Sequence, residues 1–224
     1  TLAALQPAPL WPTAFALATI LADATPQDAL LALAAVRQAR GEQATLILSI
    51  AAGLRLAAMQ DAAGAHARII RAMPNTPALV GQGITGVFAP ASLSQNDIDT
   101  AMQLMRACGD VIRVDDEAMI DAVTAVSGSG PAYVFHWIES MIAAAKNVGF
   151  NDADARKLVL ATLKGATTLA ESSDESPATL RERVTSKGGT TAAALAVISE
   201  RGVQQALIDA VAAARDRGQE LGKA

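Results

Sequence analysis

The segment that decides the fold of the first half of the chain is Thr45-Leu-Ile-Leu-Ser-Ile-Ala-Ala-Gly53. Its first six residues form a continuous, largely apolar run, which predicts a buried strand of a parallel sheet. The three small residues that follow predict a tight turn at the end of that strand.

Similar short runs recur downstream of this strand and alternate with helical patterns, as expected of an α/β unit. Further strands are predicted at Arg68–Met73, Gly83–Phe88 and Val111–Val114. Helices are predicted at Gln27–Arg40, Leu54–Ala63 and Gln95–Ala107, the last with Ser94 as its N-cap.

The pattern changes after Asp116, because helical periodicity then continues to the end of the chain without a β-rich run. Breaks containing glycine or proline, such as Ser127–Pro131 and Ser172–Pro177, separate the helices. The second half is therefore predicted to be all-α. Its helices are predicted at Glu117–Ala125, Pro131–Asn147, Asp152–Glu171, Pro177–Thr185, Thr190–Glu200 and Val203–Leu221.

Composition and charge exclude several classes of protein. The net charge is −4 with Lys and Arg scattered along the chain, whereas a nucleic-acid-binding protein needs a basic stripe. Cys108 is the only cysteine, and the two histidines do not stand at metal-ligand spacing. We therefore expect neither a disulfide nor a metal site, and the expected partner is a small molecule or another copy of the chain.

A membrane or secreted location is not expected either. No uninterrupted apolar stretch reaches the roughly 18 residues that a spanning helix needs. The apolar segment Trp11–Ala22 contains Pro12 and lacks a basic region before it, so it does not resemble a signal peptide. The sequence predicts a cytoplasmic protein.

Candidate catalytic residues of the usual kinds have ordinary structural interpretations. His136 lies among aromatic residues and is predicted to be a core or interface histidine. Cys108 precedes a glycine at a helix end and is predicted to be a packed small side chain. The acidic run Asp115–Glu117 has no nearby basic residue in the sequence, so it is interpreted as a helix N-terminus.

Two helix starts rich in small residues are the remaining candidates for chemistry. They are Ser127-Gly-Ser-Gly-Pro131 and Thr185-Ser-Lys-Gly-Gly-Thr-Thr191. Free backbone N–H groups, hydroxyls and the helix dipole make such a start suitable for a carboxylate or phosphate. Ordinary helix capping explains the same residues, so both interpretations stay open at this point.

The same residues carry a family resemblance. Ala122-Val-Thr-Ala-Val-Ser-Gly-Ser-Gly-Pro-Ala-Tyr133 and Val184-Thr-Ser-Lys-Gly-Gly-Thr-Thr191 resemble signature segments of pyrroline-5-carboxylate reductases. Arg71-Ala-Met-Pro-Asn-Thr-Pro77 and Ser49-Ile-Ala-Ala-Gly53 resemble two further motifs of that family, in the right order. The resemblance runs from about Thr45 to the C-terminus.

This resemblance implies the fold and the reaction. The expected fold is α/β plus all-α: an incomplete Rossmann-like NAD(P)-binding domain at residues 1–115, followed by an all-helical substrate-binding and dimerisation domain at residues 116–224. Members of the family transfer hydride from NADPH or NADH to the C=N bond of 1-pyrroline-5-carboxylate, which gives L-proline. The resemblance also implies a homodimer or a larger oligomer built from dimers.

The resemblance further assigns individual residues. It implies that Thr191 hydrogen-bonds the ring nitrogen and is the catalytic residue. The substrate is implied to be bound by Ser186, Gly188, Gly189, Thr190, Thr191 and Asp174. The cofactor is implied to be contacted by Ile50, Ala51, Ala52 and Asn75.

Two departures from the family pattern are visible in the sequence. Lys187 stands where many relatives have proline, and it adds an N–H group and a positive charge beside the implied carboxylate site. The family also opens with a strand and a glycine-rich loop for the pyrophosphate, and residues 1–44 do not match that region, apart from a hint at Leu21–Leu33. A first βαβ unit needs about 30 residues, so the sequence is interpreted either as a piece of a longer chain or as a degenerate relative.

Two rival functions would use the same scaffold. A β-hydroxyacid dehydrogenase relative would carry a helix-borne lysine with asparagine four residues later, and Lys146, Lys157 and Lys164 lack that asparagine. A cofactor-free binding or assembly protein on the same scaffold would explain the missing glycine-rich loop.

Overall fold

The computed structural model describes residues 25–41 and 43–222, which divide into two compact units. The sheet unit contains the described residues up to Pro131 together with those from Ala212 onward, and the helical unit is Ala132–Val211. The predictions made for Trp11–Ala22, and for the beginning of Leu21–Leu33, lie outside the described residues. None of the helices within these described ranges combines the length and the hydropathy needed to cross a bilayer.

The sheet unit is built on four strands in the order β1-β2-β3-β4. β1 pairs with β2 in parallel, β2 with β3 antiparallel, and β3 with β4 in parallel. β2 and β3 are antiparallel because their connection, residues 74–82, is too short for the crossover that a parallel pair requires. The strands are β1 Thr45–Ser49, β2 Ala67–Met73, β3 Gly83–Phe88 and β4 Gly109–Val114.

Helices cover both faces of this sheet because side chains of a strand alternate between its faces. Leu46 and Leu48 of β1 pack in a cluster with residues of α3, whereas Ile47 packs with residues of α1 and α2 on the other face. This arrangement explains why β1 is an unbroken buried run. The helices before the helical unit are α1 Pro26–Arg40, α2 Leu56–Ala63, α3 Gln95–Arg106 and α4 Met119–Val123, with a 3₁₀ helix at Thr76–Val80.

A π-helical turn at Thr124–Gly128 follows α4. The Ser129 N–H donates to the Thr124 carbonyl at 2.7 Å, so the small residues predicted to form an open break continue the helical path instead. The interpretation of Ser127–Pro131 as an open helix start with free N–H groups was therefore wrong for Ser129. Such π turns occur mostly as single turns within helices.

The helical unit buries very little of its own apolar surface. Within Ala132–Val211, all of which is described, the buried residues are Ala155 and Val159. Large side chains such as Phe135 and Ile208 are more than half exposed. The later helices of the chain are α5 Gly130–Asn147, α6 Asp152–Glu171, α7 Pro177–Arg183, α8 Thr190–Glu200 and α9 Val203–Leu221.

Candidate cofactor and substrate sites

The first candidate site is the turn that follows β1. Ile50 is 41% exposed and Ala52 is exposed, whereas Ala51 is buried and its N–H donates to the Ser49 Oγ at 3.3 Å. Gly53 has a φ of 71°, a left-handed conformation that glycine adopts without a steric penalty. The turn thus presents small side chains and backbone at the carboxyl end of β1, where ligands of open α/β sheets bind.

Asn75 lies at the same edge of the sheet, because β1 and β2 are parallel and Asn75 follows the end of β2. Its Oδ1 accepts a hydrogen bond from the Ile84 N–H at 3.0 Å. The amide oxygen therefore fixes the beginning of β3. The amide nitrogen makes no hydrogen bond to the part of the chain that the structure describes, so it can donate to a ligand.

Two ion pairs lie behind this edge and were not predicted. Arg71, in β2, is only 2% exposed, and its Nη1 lies 2.6 Å from the Glu117 Oε1. The Arg55 Nη2 lies 2.6 Å from the Asp121 Oδ2. Glu117, in the acidic run Asp115–Glu117, therefore has a basic partner 46 positions earlier in the sequence. An arginine inside a predicted buried strand was the signal, since arginine is almost never fully buried without a partner.

A glycine pattern of the nucleotide-binding form occurs at Gly81-Gln-Gly-Ile-Thr-Gly86. Residues 83–86 of this pattern lie within β3, and no helix begins at its end. A pyrophosphate loop must instead connect the end of a strand to the start of a helix. None of the strand-to-helix turns within residues 25–41 and 43–222 carries three such glycines.

The second candidate site is the turn before α8. Gly188 has a left-handed φ of 73°, and Gly189 is the N-cap with extended backbone and no side-chain cap. A Cβ on Gly189 would overlap the Ser186 Oγ and lie 3.2 Å from the Ser186 carbonyl oxygen. The serine hydroxyl therefore occupies space that only glycine leaves open.

The first turn of α8 offers backbone donors. Its first intrahelical hydrogen bond runs from the Ala193 N–H to the Gly189 carbonyl. The N–H groups of Thr190, Thr191 and Ala192 precede that bond and receive no side-chain cap from the described residues. Thr191 is half-buried in this turn. Donors at a helix N-terminus, with hydroxyls beside them, suit a carboxylate.

Asp174 lies in the exposed turn between α6 and α7. No hydrogen bond or ion pair joins it to the turn before α8 among the described residues. Its neighbour Glu175 forms an ion pair with Arg183. The structure thus gathers Ser186 to Thr191 into one turn and leaves Asp174 on a separate turn of the helical unit.

The other candidate residues keep structural interpretations. His136 is exposed, so of its two interpretations the core histidine was wrong, and the interface histidine stays a prediction. It lines an apolar groove of about 470 Å³ between α5 and α9, together with Trp137 and Leu207. Cys108 is half-buried and free. No group of three possible metal ligands occurs in the described ranges.

Comparison with protein families and curated proteins identifies relatives of the chain. The family described as "Pyrroline-5-carboxylate reductase dimerisation" matches residues 117–221. The pyrroline-5-carboxylate reductase of Pseudomonas aeruginosa is 45% identical over 79% of this chain and 64% of its own length. That of a Synechocystis species is 44% identical over 83% of this chain and 68% of its own length. The chain therefore spans about two thirds of the length of these relatives.

Solved structures give the same result for the fold. A pyrroline-5-carboxylate reductase from Coxiella burnetii matches with a TM-score of 0.83 and 36% identity, over 89% of this chain and 74% of that one. A pyrroline carboxylate reductase from Plasmodium falciparum, solved with NADP bound, matches with a TM-score of 0.82 and 30% identity, over 89% of this chain and 75% of that one. The predicted fold class, a Rossmann-like part followed by a helical region, is confirmed.

Proposed function

The chain belongs to the pyrroline-5-carboxylate reductase family, and on that premise we propose that it reduces 1-pyrroline-5-carboxylate to L-proline with NADPH or NADH. The observation that carries this proposal is the turn Ser186–Thr191. Its glycines expose the first N–H groups of α8, with the Ser186, Thr190 and Thr191 side chains in the same segment. These donors suit a small carboxylate, because none of the described side chains caps the helix and its first N–H groups stay available.

The substrate explains why no catalytic triad is needed. A protonated cyclic imine is already a strong electrophile, so the protein must mainly hold the carboxylate and orient the ring. In the proposed arrangement, the N–H groups of Thr190 and Thr191 bind the carboxylate. The Thr191 hydroxyl hydrogen-bonds the ring nitrogen, which positions the imine and relays the proton.

The proposed cofactor contacts lie in the sheet unit. When bound, the reduced nicotinamide supplies the hydride. The turn Ile50–Ala52, of which Ile50 and Ala52 are exposed, and the free amide nitrogen of Asn75 fit the nicotinamide end of such a cofactor, since they stand at the carboxyl edge of parallel strands. We assign no pyrophosphate contact to the described residues, because residues 83–86 of the glycine pattern lie within a strand and no helix follows them directly.

We propose that residues 1–115 bind the cofactor and that residues 116–224 bind the substrate and form the dimer. The start of the matching dimerisation region at residue 117 supports this boundary. Asp174 is proposed as a second polar contact to the substrate, and Lys187 as a source of positive potential beside the carboxylate. A cytoplasmic location is part of the same proposal.

A homodimer, alone or within a larger oligomer, is also part of the proposal. The helical unit leaves large apolar side chains exposed and buries only Ala155 and Val159 within Ala132–Val211. An exposed apolar surface of this kind marks an interaction site. The groove between α5 and α9, with Trp137 and Leu207 in its walls, is one place for a second copy to bind.

The proposal is tested by steady-state oxidation of NADPH and NADH in the presence of 1-pyrroline-5-carboxylate. Thr191→Ala should lower kcat/KM by about 10- to 100-fold, the effect of losing a hydrogen bond to a charged group. Thr185→Ala is the matched control, since the Thr185 hydroxyl donates to the Arg181 carbonyl at 2.6 Å and is assigned to no ligand. Normal turnover by Thr191→Ala would contradict the catalytic assignment. A natural protein that binds neither cofactor would favour a cofactor-free assembly role.

A further inference from the structure

The carboxylate of Glu117 joins two elements that are distant in sequence. Its Oε1 accepts one hydrogen bond from the Leu56 N–H at 2.6 Å and another from the Arg71 Nη1 at 2.6 Å. The Arg71 side chain is 3% exposed and that of Glu117 is 25% exposed. The carboxylate therefore carries a shielded ion pair and a backbone contact on one oxygen.

The backbone contact places Glu117 at the N-terminus of α2. The N-cap residue of this helix, Arg55, makes no side-chain cap hydrogen bond. Glu117 supplies the missing acceptor from 61 positions away. A carboxylate is well suited to this place, because it meets both an unpaired N–H group and the positive end of the helix dipole.

The side chain of Arg55 strengthens the same connection. Its Nη2 lies 2.6 Å from the Asp121 Oδ2, and the side chain of Asp121 is only 6% exposed. Arg55 and Leu56, at the start of α2, thus both form hydrogen bonds to residues of the segment 117–121. We call these contacts, Glu117 with Leu56 and Arg71 and Asp121 with Arg55, the α2 clamp.

The α2 clamp fixes one end of the turn proposed to contact the cofactor. That turn, Ile50–Gly53, is fixed at its other end by β1, which is paired to β2 along its whole length. Between these ends, Ile50 and Ala52 are exposed. Ala51 between them is buried and its N–H donates to the Ser49 Oγ, which anchors the middle of the turn. The position of α2 sets where the second end of the turn lies.

We propose that Glu117 is a positioning residue for the cofactor. It acts through Leu56 and Arg71 to hold Ile50–Gly53 in the conformation that a reduced nicotinamide cofactor requires. This inference rests on the proposed function. It adds a residue to the cofactor site that the sequence motifs did not indicate. It also gives the acidic run Asp115–Glu117 a role beyond that of a helix N-terminus.

A second ion pair on the same strand provides the control for a purely structural role. The Arg68 Nη1 lies 2.8 Å from the Asp97 Oδ1 and 2.9 Å from its Oδ2. The side chain of Asp97 is 6% exposed. This pair ties β2 to the start of α3 and does not contact the turn after β1. Its loss should lower stability without moving the cofactor site.

The experiment compares Glu117→Ala, Glu117→Gln and Asp97→Ala in the natural protein. Binding of NADPH is measured by fluorescence titration, the KM of each substrate by steady-state kinetics, and amide exchange of residues 50–56 by mass spectrometry. Glu117→Ala should weaken NADPH binding by about fivefold or more, the factor that corresponds to a lost helix cap. The KM for the imine should stay within about twofold, and exchange in residues 50–56 should rise.

The two other variants separate positioning from stability. Glu117→Gln should recover most of the NADPH affinity, because its amide oxygen still accepts from the Leu56 N–H. Asp97→Ala should lower the thermal midpoint and leave NADPH affinity and exchange in residues 50–56 unchanged. The proposal is overturned if Glu117→Ala binds NADPH as the natural protein does, or if Asp97→Ala weakens binding equally.

The same data distinguish this proposal from the proposed reaction. A natural protein that binds NADPH but does not reduce the imine overturns the reaction and leaves the comparison of variants valid. A natural protein that does not bind NADPH overturns both.

Discussion

Replacing Gly189 with alanine tests whether the turn before α8 is built to place a hydroxyl. The backbone of Gly189 is extended, with φ −79° and ψ 173°, so alanine adds no backbone strain. Its Cβ would overlap the Ser186 Oγ, whereas the Ser186 carbonyl oxygen at 3.2 Å needs to move only slightly. The side chain of Ser186 should therefore rotate to another staggered conformation, and the fold should survive.

The expected cost is the loss of one hydrogen bond from the Ser186 hydroxyl to the substrate carboxylate. Hydrogen bonds to charged groups contribute about 1.5–3 kcal/mol, which is about 10- to 100-fold in affinity. Gly189→Ala should raise the KM for 1-pyrroline-5-carboxylate by a factor in this range. The KM for NADPH should not change.

A double-mutant cycle with Ser186→Ala supplies the control. If alanine at position 189 acts by displacing the Ser186 hydroxyl, it should have almost no further effect once that hydroxyl is gone. Its Cβ then meets the position 186 Cβ at 3.6 Å, an ordinary contact, and the position 186 carbonyl oxygen at 3.2 Å, which needs to move only slightly. The two changes should be strongly non-additive. Additive effects on the KM would refute the reasoning, since they would mean that Ser186 and Gly189 act independently.

Three further predictions concern the fold, the assembly and the pH dependence. Gly109→Ala should prevent stable folding, measured as soluble yield and thermal midpoint, because Gly109 has a φ of 139° and a Cβ there would overlap the backbone of β3. Leu207→Asp should convert dimers to monomers in analytical ultracentrifugation, whereas Leu31→Asp on α1 should not; dimers persisting with Leu207→Asp would contradict the groove assignment. The Thr25 hydroxyl, followed by the Thr25 backbone N–H, lowers the pKa of Asp28 from its usual 3.8. Ionised Asp28 therefore stabilises the start of α1 at any pH above its pKa in the unfolded chain, and this stabilisation is lost as the pH falls through its pKa in the folded chain. Amide exchange at the start of α1 should increase only below about pH 4.

Much of the fold could be predicted because hydrophobic periodicity determines it locally. The predicted strand Gly83–Phe88 and the predicted helices Asp152–Glu171 and Thr190–Glu200 have the observed bounds. Ser94 caps α3 as expected, and its hydroxyl accepts from the Asp97 N–H. These features depend on residues close in sequence, so the sequence alone contains the necessary information.

Other features depend on contacts between distant residues, and the sequence did not reveal them. The ion pair between Glu117 and Arg71 could not be predicted from the acidic run, because it depends on how α4 packs against β2. The π turn depends on a hydrogen bond from Ser129 to Thr124, which a sequence of small residues does not specify. The site residues assigned by resemblance, from Ile50 to Thr191, stay predictions until they are tested by substitution.

The central claim is that hydride passes from the reduced nicotinamide to the imine carbon of 1-pyrroline-5-carboxylate. Transfer of deuterium tests it most directly. The natural protein is supplied with NADPH stereospecifically deuterated at carbon 4 of the nicotinamide, in separate reactions for the two faces, and the product is analysed by mass spectrometry and NMR. One of the two cofactors should yield L-proline with a single deuterium at carbon 5 and the other none. Unlabelled proline from both, or no proline at all, would contradict the proposed reaction.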